Sequence, residues 1–157
     1  MVIVTQADLG NPHHATGIVD CLDAYARDPM GGGQALSAHA RQNLVAGLAA
    51  HPASVTFIAQ AASQIVGVAV CFFGYSTFQA KPRLNLHDLI VLPTQRRRGI
   101  GRALLDAVAA HAAACDCCAV TLEVRKDNPT AQALYRSLGF GGGNSAMEFW
   151  VKPVEIR

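Results

Sequence analysis

Residues 92–102, "LPTQRRRGIGR", set Arg96, Arg97 and Arg98 against Gly99, Ile100 and Gly101, with Arg102 directly after. An apolar helical pattern starts at once, since Ile100, Leu104, Ala107, Val108 and His111 recur at helical spacing. The first N–H groups of a helix lack intrahelical acceptors, and the helix dipole adds partial positive charge at that end. Glycines let an anion approach the backbone, and arginines add charge-assisted hydrogen bonds. Together these residues match a diphosphate. Alone, such a string would be a solvated basic turn; its setting of strand, proline, loop and helix favours the anion seat.

Other phosphate loops do not fit. A Walker loop needs a glycine, four residues and then Gly-Lys-Ser/Thr, a string absent from this chain. "GIGRAL" lacks the third small residue of the dinucleotide fingerprint. Nucleic-acid phosphates are disfavoured too, because 13 basic against 11 acidic side chains leave a net charge of only +2. No aromatic stacking platform adjoins the loop.

The rest of the chain must position this turn. Its 157 residues suit one domain with a substantial core, and 51% hydrophobic against 15% charged residues excludes disorder. No uncharged apolar run is long enough to cross a membrane, and "MVIVTQADLG" lacks the character of a secretory signal. Five cysteines without such a signal imply reduced thiols and a cytoplasmic protein. "CDCC" has no second ligand pair, so no metal site is expected, and its cysteines read as small apolar residues entering a strand.

"VIVTQ" reads as an opening strand. Asn11 and Pro12 then start a helix to about Arg27 with Ile18, Leu22 and Tyr25 on one face. A glycine-rich break precedes a second helix over residues 35–50. "SVTFIAQ" and "QIVGVAVCFFGYS" form a hairpin, and "RLNLHDLIVL" supplies a third strand in this run. After the helix over residues 99–114, "CCAVTLEV" is apolar enough for a central strand covered on both faces. Asn128 and Pro129 open a last helix closed by Gly139, and "SAMEFWVK" gives a final strand. This order implies an α/β sandwich on a mixed sheet, with "RLNLHDLIVL" and "CCAVTLEV" parallel across a helical crossover.

"VLPTQRRRGIGRALL" resembles the acyl-CoA-binding motif of the GNAT superfamily of N-acetyltransferases, Arg/Gln-x-x-Gly-x-Gly/Ala, with Arg96, Gly99 and Gly101 at the motif positions. "EVRKDNPTAQALYRSLGF" is similar to the second family hallmark, an Asn near a helix start and a Tyr ahead of "GF". The resemblance covers almost the whole chain. It implies one GNAT domain over residues 1–157, with a mixed, mostly antiparallel sheet of six or seven strands flanked by four helices. Acetyl-CoA would be the co-substrate, its diphosphate held by Arg96, Arg97, Arg98, Gly99, Ile100, Gly101 and Arg102, with Asn128 and Tyr135 alongside. "YSTFQAKPRLNLHDLIV" further resembles the diamine and polyamine acetyltransferase branch, which carries an "LEDLFV"-like strand.

The same resemblance implies direct attack by an amine in a ternary complex. Tyr135 would sit near the coenzyme sulfur and protonate or hydrogen-bond the departing thiolate. A phenol holds its proton at neutral pH, as that task requires. The alternative for Tyr135 is a core aromatic beside Leu134 and Leu138. Main-chain N–H groups among Leu89, Ile90 and Val91 would face the thioester oxygen. His87 stands where polyamine-type relatives carry a glutamate, and is either a base or an ordinary strand residue. Its neighbour Asp88 would orient a base, attract a cationic amine or satisfy a bulge. Asp20, Asp23 and Asp28 either make the acceptor side acidic or form a solvated helix face, and His13–His14 lies where relatives line the acceptor pocket. The expected acceptor is the primary amine of a small molecule; a peptide or protein amine, or a catalytically silent acyl-CoA sensor, are the alternatives. No nucleic-acid or membrane partner is expected, and a homodimer is compatible with the resemblance.

Overall fold

The computed structural model describes residues 1–141 and 150–154. Its elements are β1 (Val2–Gln6), α1 (Pro12–Arg27), α2 (Ala38–Ala50), β2 (Ser54–Ala61), β3 (Gln64–Ser76), β4 (Lys81–Val91), α3 (Ile100–Ala114), β5 (Val120–Leu122) and α4 (Pro129–Ser137). The strands form one sheet in the order β1-β2-β3-β4-β5, antiparallel except for the parallel pair β4–β5. The mixed sheet and four helices agree with the expected class; five strands are seen among the described residues where six or seven were expected. Most of "SAMEFWVK" lies outside the described residues.

Local chemistry explains the helix starts. Asn11 accepts the His13 N–H at 2.9 Å with Pro12 in the first turn, and Ser37 accepts the Ala40 N–H at 3.1 Å. That second cap moves the start of α2 from the expected residue 35 to Ala38. The α1–α2 connection is fastened by Asp23, a buried carboxylate that accepts from Arg27 Nε at 2.8 Å, Arg41 Nη1 at 2.9 Å and the Leu36 N–H at 2.9 Å. The Arg27 hydrogen bond leads these in holding the Asp23 carboxyl below its ordinary range.

The sheet has a core on each face. Val66, Leu84, Leu86, Leu104 and Val108 belong to the core under α3, while Ile18, Leu22, Ile58, Val68 and Ile90 belong to the core under α1 and α2. Burial of a side chain such as Leu104 contributes about 1.5–3 kcal/mol. Among the described residues β5 is short, half-buried and ends the sheet; its expected place as a central strand turns on "SAMEFWVK", most of which lies outside the described residues. Cys117 and Cys118 are spent on the turn before it, where the Cys117 N–H reaches Ala112 O and the Cys118 N–H reaches Pro82 O. Five residues of "CCAVTLEV" therefore lie outside the strand.

Two helix glycines separate propensity from packing. A Cβ on Gly17 would overlap Ile65, because α1 lies directly on β3, whereas Gly47 in α2 has nothing within 4 Å. Gly47→Ala should therefore stabilise the protein by about 0.5–1 kcal/mol. The same change at Gly17 should destabilise it, as overpacking costs about 1–3 kcal/mol. Denaturant unfolding of both variants would show opposite shifts in midpoint; a gain at Gly17 would refute the close α1–β3 contact.

Candidate active site

The cleft begins where β4 leaves β5. Their ladder covers only Leu84–Leu86 against Val120–Leu122, whereas β4 stays paired with β3 as far as Val91. The β3–β4 register shifts between Val70 and Cys71, which pair with Asp88 and Leu86, so His87 is the extra residue of a bulge. Beyond it, Leu89 and Val91 pack toward the α3 core and Ile90 toward the α1 core. The Leu92 N–H bonds Val66 O at 2.9 Å. Ladder alternation then turns the main-chain groups of Leu89 and Val91 away from β3, toward the opening left by β5.

The resulting cleft has a volume of about 1010 Å³ and includes Leu89, Ile90 and Val91 in its wall. A turn over residues 96–101 forms one end of it. Arg97 and Gly99 take the left-handed conformation, with φ of 67° and 78°. Gly99 is the N-cap of α3, and the first helical bond runs from the Ala103 N–H to Gly99 O at 3.0 Å. The N–H groups of Ile100, Gly101 and Arg102 thus precede the first available helical acceptor. Gly101 has its own reason to be small, since a Cβ there would lie 3.2 Å from Leu134 Cδ2 of α4.

The arginines have separate fates. Arg96 donates from Nε to Val91 O at 3.1 Å and from Nη2 to Asp28 Oδ2 at 2.9 Å. Arg102 donates to Ser137 Oγ at 2.6 Å, tying α3 to α4. Both line the cleft with Arg97; Arg98 does not, and bonds Gln95 Oε1 at 3.2 Å. The turn thus joins unpaired amides to three guanidinium groups, an arrangement that suits a diphosphate.

Asn128 caps α4 by accepting the Ala131 N–H at 3.1 Å, and lines the cleft with Tyr135. The Tyr135 ring meets Phe140 edge-on at a centroid distance of 5.9 Å. Burial, with a smaller contribution from Tyr25, pushes the Tyr135 phenol above its ordinary value. Tyr25 enters the same cleft from α1; burial, then Asp88 and Asp28, push its phenol up as well.

His87 is exposed and leans on Phe72 at 5.5 Å, outside the cleft lining. Asp88 is half-buried, and burial raises its carboxyl above the usual range against an opposing effect of His87. His14 accepts the Asp8 N–H at 3.1 Å beside the start of α1, and neither it nor His13 lines the cleft. Tyr25, Asp28 and Met30 do line it. The glycine-rich composition after Asp28 marked a loop, but no local pattern disclosed an ion pair spanning 68 residues. Among the described residues no cluster of three His, Cys, Asp or Glu side chains could hold a metal ion, and no helix could span a membrane.

Comparison with known proteins gives the chain its family. Mycothiol acetyltransferase of Clavibacter sepedonicus is 39% identical over 70 residues, covering 45% of this chain and 22% of that protein. Thialysine N-epsilon-acetyltransferase of Bos taurus is 35% identical over 75 residues, covering 48% of this chain and 44% of that one. The chain therefore spans less than half the length of these curated relatives. An integron cassette protein from the mobile metagenome of V. cholerae superposes with a TM-score of 0.81 at 21% identity, covering 97% and 93% of the two chains. An aminoglycoside acetyltransferase from an uncultured soil metagenomic sample, solved with sisomicin, gives a TM-score of 0.80 at 17% identity, covering 97% and 96%. At such identities the structural likeness establishes the fold alone. The model of the Acetyltransferase (GNAT) family, however, matches residues 18–140, from α1 through α4, and the chain belongs to that family.

Proposed function

We propose that the protein transfers an acetyl group from acetyl-CoA to the primary amine of a small molecule, by direct attack in a ternary complex. The observation that carries this reading is one cleft holding both the bared amides of the 96–101 turn and the Tyr135 phenol. The amides of Ile100, Gly101 and Arg102, with the side chains of Arg97 and Arg102, receive the diphosphate. Arg96 adds those guanidinium N–H groups not already given to Val91 and Asp28. Asn128 fixes the start of α4 and thereby the approach of Tyr135 to the sulfur.

The neutral amine nitrogen attacks the thioester carbonyl carbon. Negative charge gathers on the carbonyl oxygen, where the outward-facing N–H groups of Leu89 and Val91 are its donors. When the tetrahedral species collapses, the C–S bond breaks and sulfur takes the Tyr135 proton. The proton lost by nitrogen leaves through water to Asp88 or His87, and solvent restores the phenol. Asp88 and His87 both act through water here, because neither lines the cleft.

The acidic residues once available to attract a cation are largely engaged. Asp23 is paired with Arg27 and Arg41, and Asp28 with Arg96. The acceptor side is thus less negative than its sequence implies. A monoamine, or an amine on a polar scaffold, suits it better than a polyamine that needs several anionic contacts. A coenzyme-release screen over monoamines, amino acids, aminoglycosides and polyamines tests this reading. Release that fails with every amine while acetyl-CoA binds would defeat it.

Tyr135→Phe removes the donor and keeps the ring, so kcat should fall about 100-fold with acetyl-CoA affinity nearly unchanged. Calorimetry beside steady-state kinetics separates those effects, and equal kcat values would return Tyr135 to a packing role. The pH profile supplies an independent check. Burial disfavours the phenolate, so Tyr135 keeps its proton to higher pH than a free phenol, and the descending limb of kcat should begin above about pH 10. Rates corrected for spontaneous thioester hydrolysis should lose that limb in Tyr135→Phe.

A further inference from the structure

Asp28 closes α1, and its carboxylate faces two ways. One oxygen accepts the Met30 N–H at 2.9 Å, at the start of the loop that leads to α2. The other accepts Arg96 Nη2 at 2.9 Å, at the start of the anion-binding turn. The main-chain oxygen of Asp28 also accepts the Gly31 and Gly33 N–H groups at 2.8 and 3.2 Å. Arg96 carries the connection onward by donating Nε to Val91 O at 3.1 Å, at the end of β4. Three parts of the cleft therefore meet in one ion pair: the loop after α1, the diphosphate turn, and the strand end that bears the outward amides.

We propose that Asp28 is a positioning residue that couples the loop after α1 to the diphosphate turn, so that coenzyme binding orders the acceptor side of the cleft. The proposal rests on the acetyl-CoA reading above. Its physical basis is the guanidinium fork, which holds Asp28 and Val91 O and still has N–H groups to offer a phosphate. An anion seated on the turn fixes Arg96, and a fixed Arg96 fixes Asp28 with the loop amides bonded to it. Tyr25 and Met30 flank Asp28 and line the same cleft, so the ordering reaches the surface an amine would meet. The ion pair is part-exposed, with Arg96 at 47% and Asp28 at 17% side-chain exposure, so it contributes little to global stability. Its value lies in geometry.

Asp28→Asn isolates the effect. The amide oxygen of asparagine still accepts the Met30 N–H, while the charge holding Arg96 is gone. Coenzyme A would be titrated calorimetrically into the wild type, Asp28→Asn, Arg96→Gln and the double variant. Hydrogen exchange of residues 30–36 would be followed with and without the coenzyme. Each single variant should bind about 5- to 20-fold more weakly, and the double no more weakly than the worse single. Coenzyme A should slow exchange in that loop in the wild type alone, Asp28→Glu should recover part of the affinity, and melting temperatures should hardly move. Losses that multiply in the double variant, or loop protection that persists in Asp28→Asn, would overturn the coupling and leave the acetyl-CoA reading standing. Absence of binding by the wild type would overturn both.

Discussion

The cleft exists because two parallel strands stop pairing. After Leu86, β4 keeps its antiparallel partner β3 and loses its parallel partner β5, while α3 must still cross from one to the other. Strand separation has two consequences at once. It turns the main-chain groups of Leu89 and Val91 toward an opening instead of a neighbouring strand, and it gives α4 a wall to form on the far side. The turn before α3 lies at the mouth of that opening because the chain reaches it directly from the end of β4. The site is thus a by-product of sheet geometry, furnished afterwards with side chains.

The bulge at His87 decides which side chains those are. In a regular strand Asp88 would share a face with Leu84 and Leu86, which lie in the core under α3. A charge placed there would face apolar neighbours and carry a heavy desolvation cost. The extra residue shifts the phase by one, so Leu89 and Val91 continue the apolar face and Asp88 falls on the side of α1, where Tyr25 feels its charge. His87, the residue inserted, is pushed to an exposed position against Phe72. A one-residue irregularity therefore keeps the α3 core apolar and places a carboxylate on the face under α1.

Legibility in the sequence follows the range of the interaction. The arginine-glycine turn, the cap at Asn128 and the parallel crossover could all be read, because each depends on residues within a few positions of one another. The start of α2 was misplaced by three residues, since Ser37 as a cap outweighs the helix-forming character of Ala35 and Leu36. "CCAVTLEV" forms a shorter strand than its apolar run suggests for another reason: hydrophobicity measures how much a segment can be covered, not how far it pairs with a neighbour. The phase shift at His87 does leave a trace, two polar residues in succession between Leu86 and Leu89, and a bulge was among the expectations for Asp88; the pattern alone does not say which of the two is the extra residue. The ion pair between Asp28 and Arg96 joins residues 68 apart in the chain, and a basic cluster read alone looks free to bind anions.

That last point changes how the basic cluster works. Three adjacent arginines suggest three equivalent ligands for a phosphate, yet each is placed differently. Arg98 is bonded within the turn to Gln95, Arg96 braces the strand end against Asp28, and Arg97 holds a left-handed backbone conformation that favours glycine. Part of the positive charge is shared with neighbours, which leaves the oriented N–H groups at the start of α3 as the turn's most preorganised donors. Oriented amides need no conformational search when charge arrives, whereas free arginines would have to be ordered at an entropic cost. Internal pairing of Arg96 therefore reduces the nominal charge at the mouth while fixing the groups that remain. A turn built this way matches the shape of a diphosphate against a helix end better than a cluster of free arginines would.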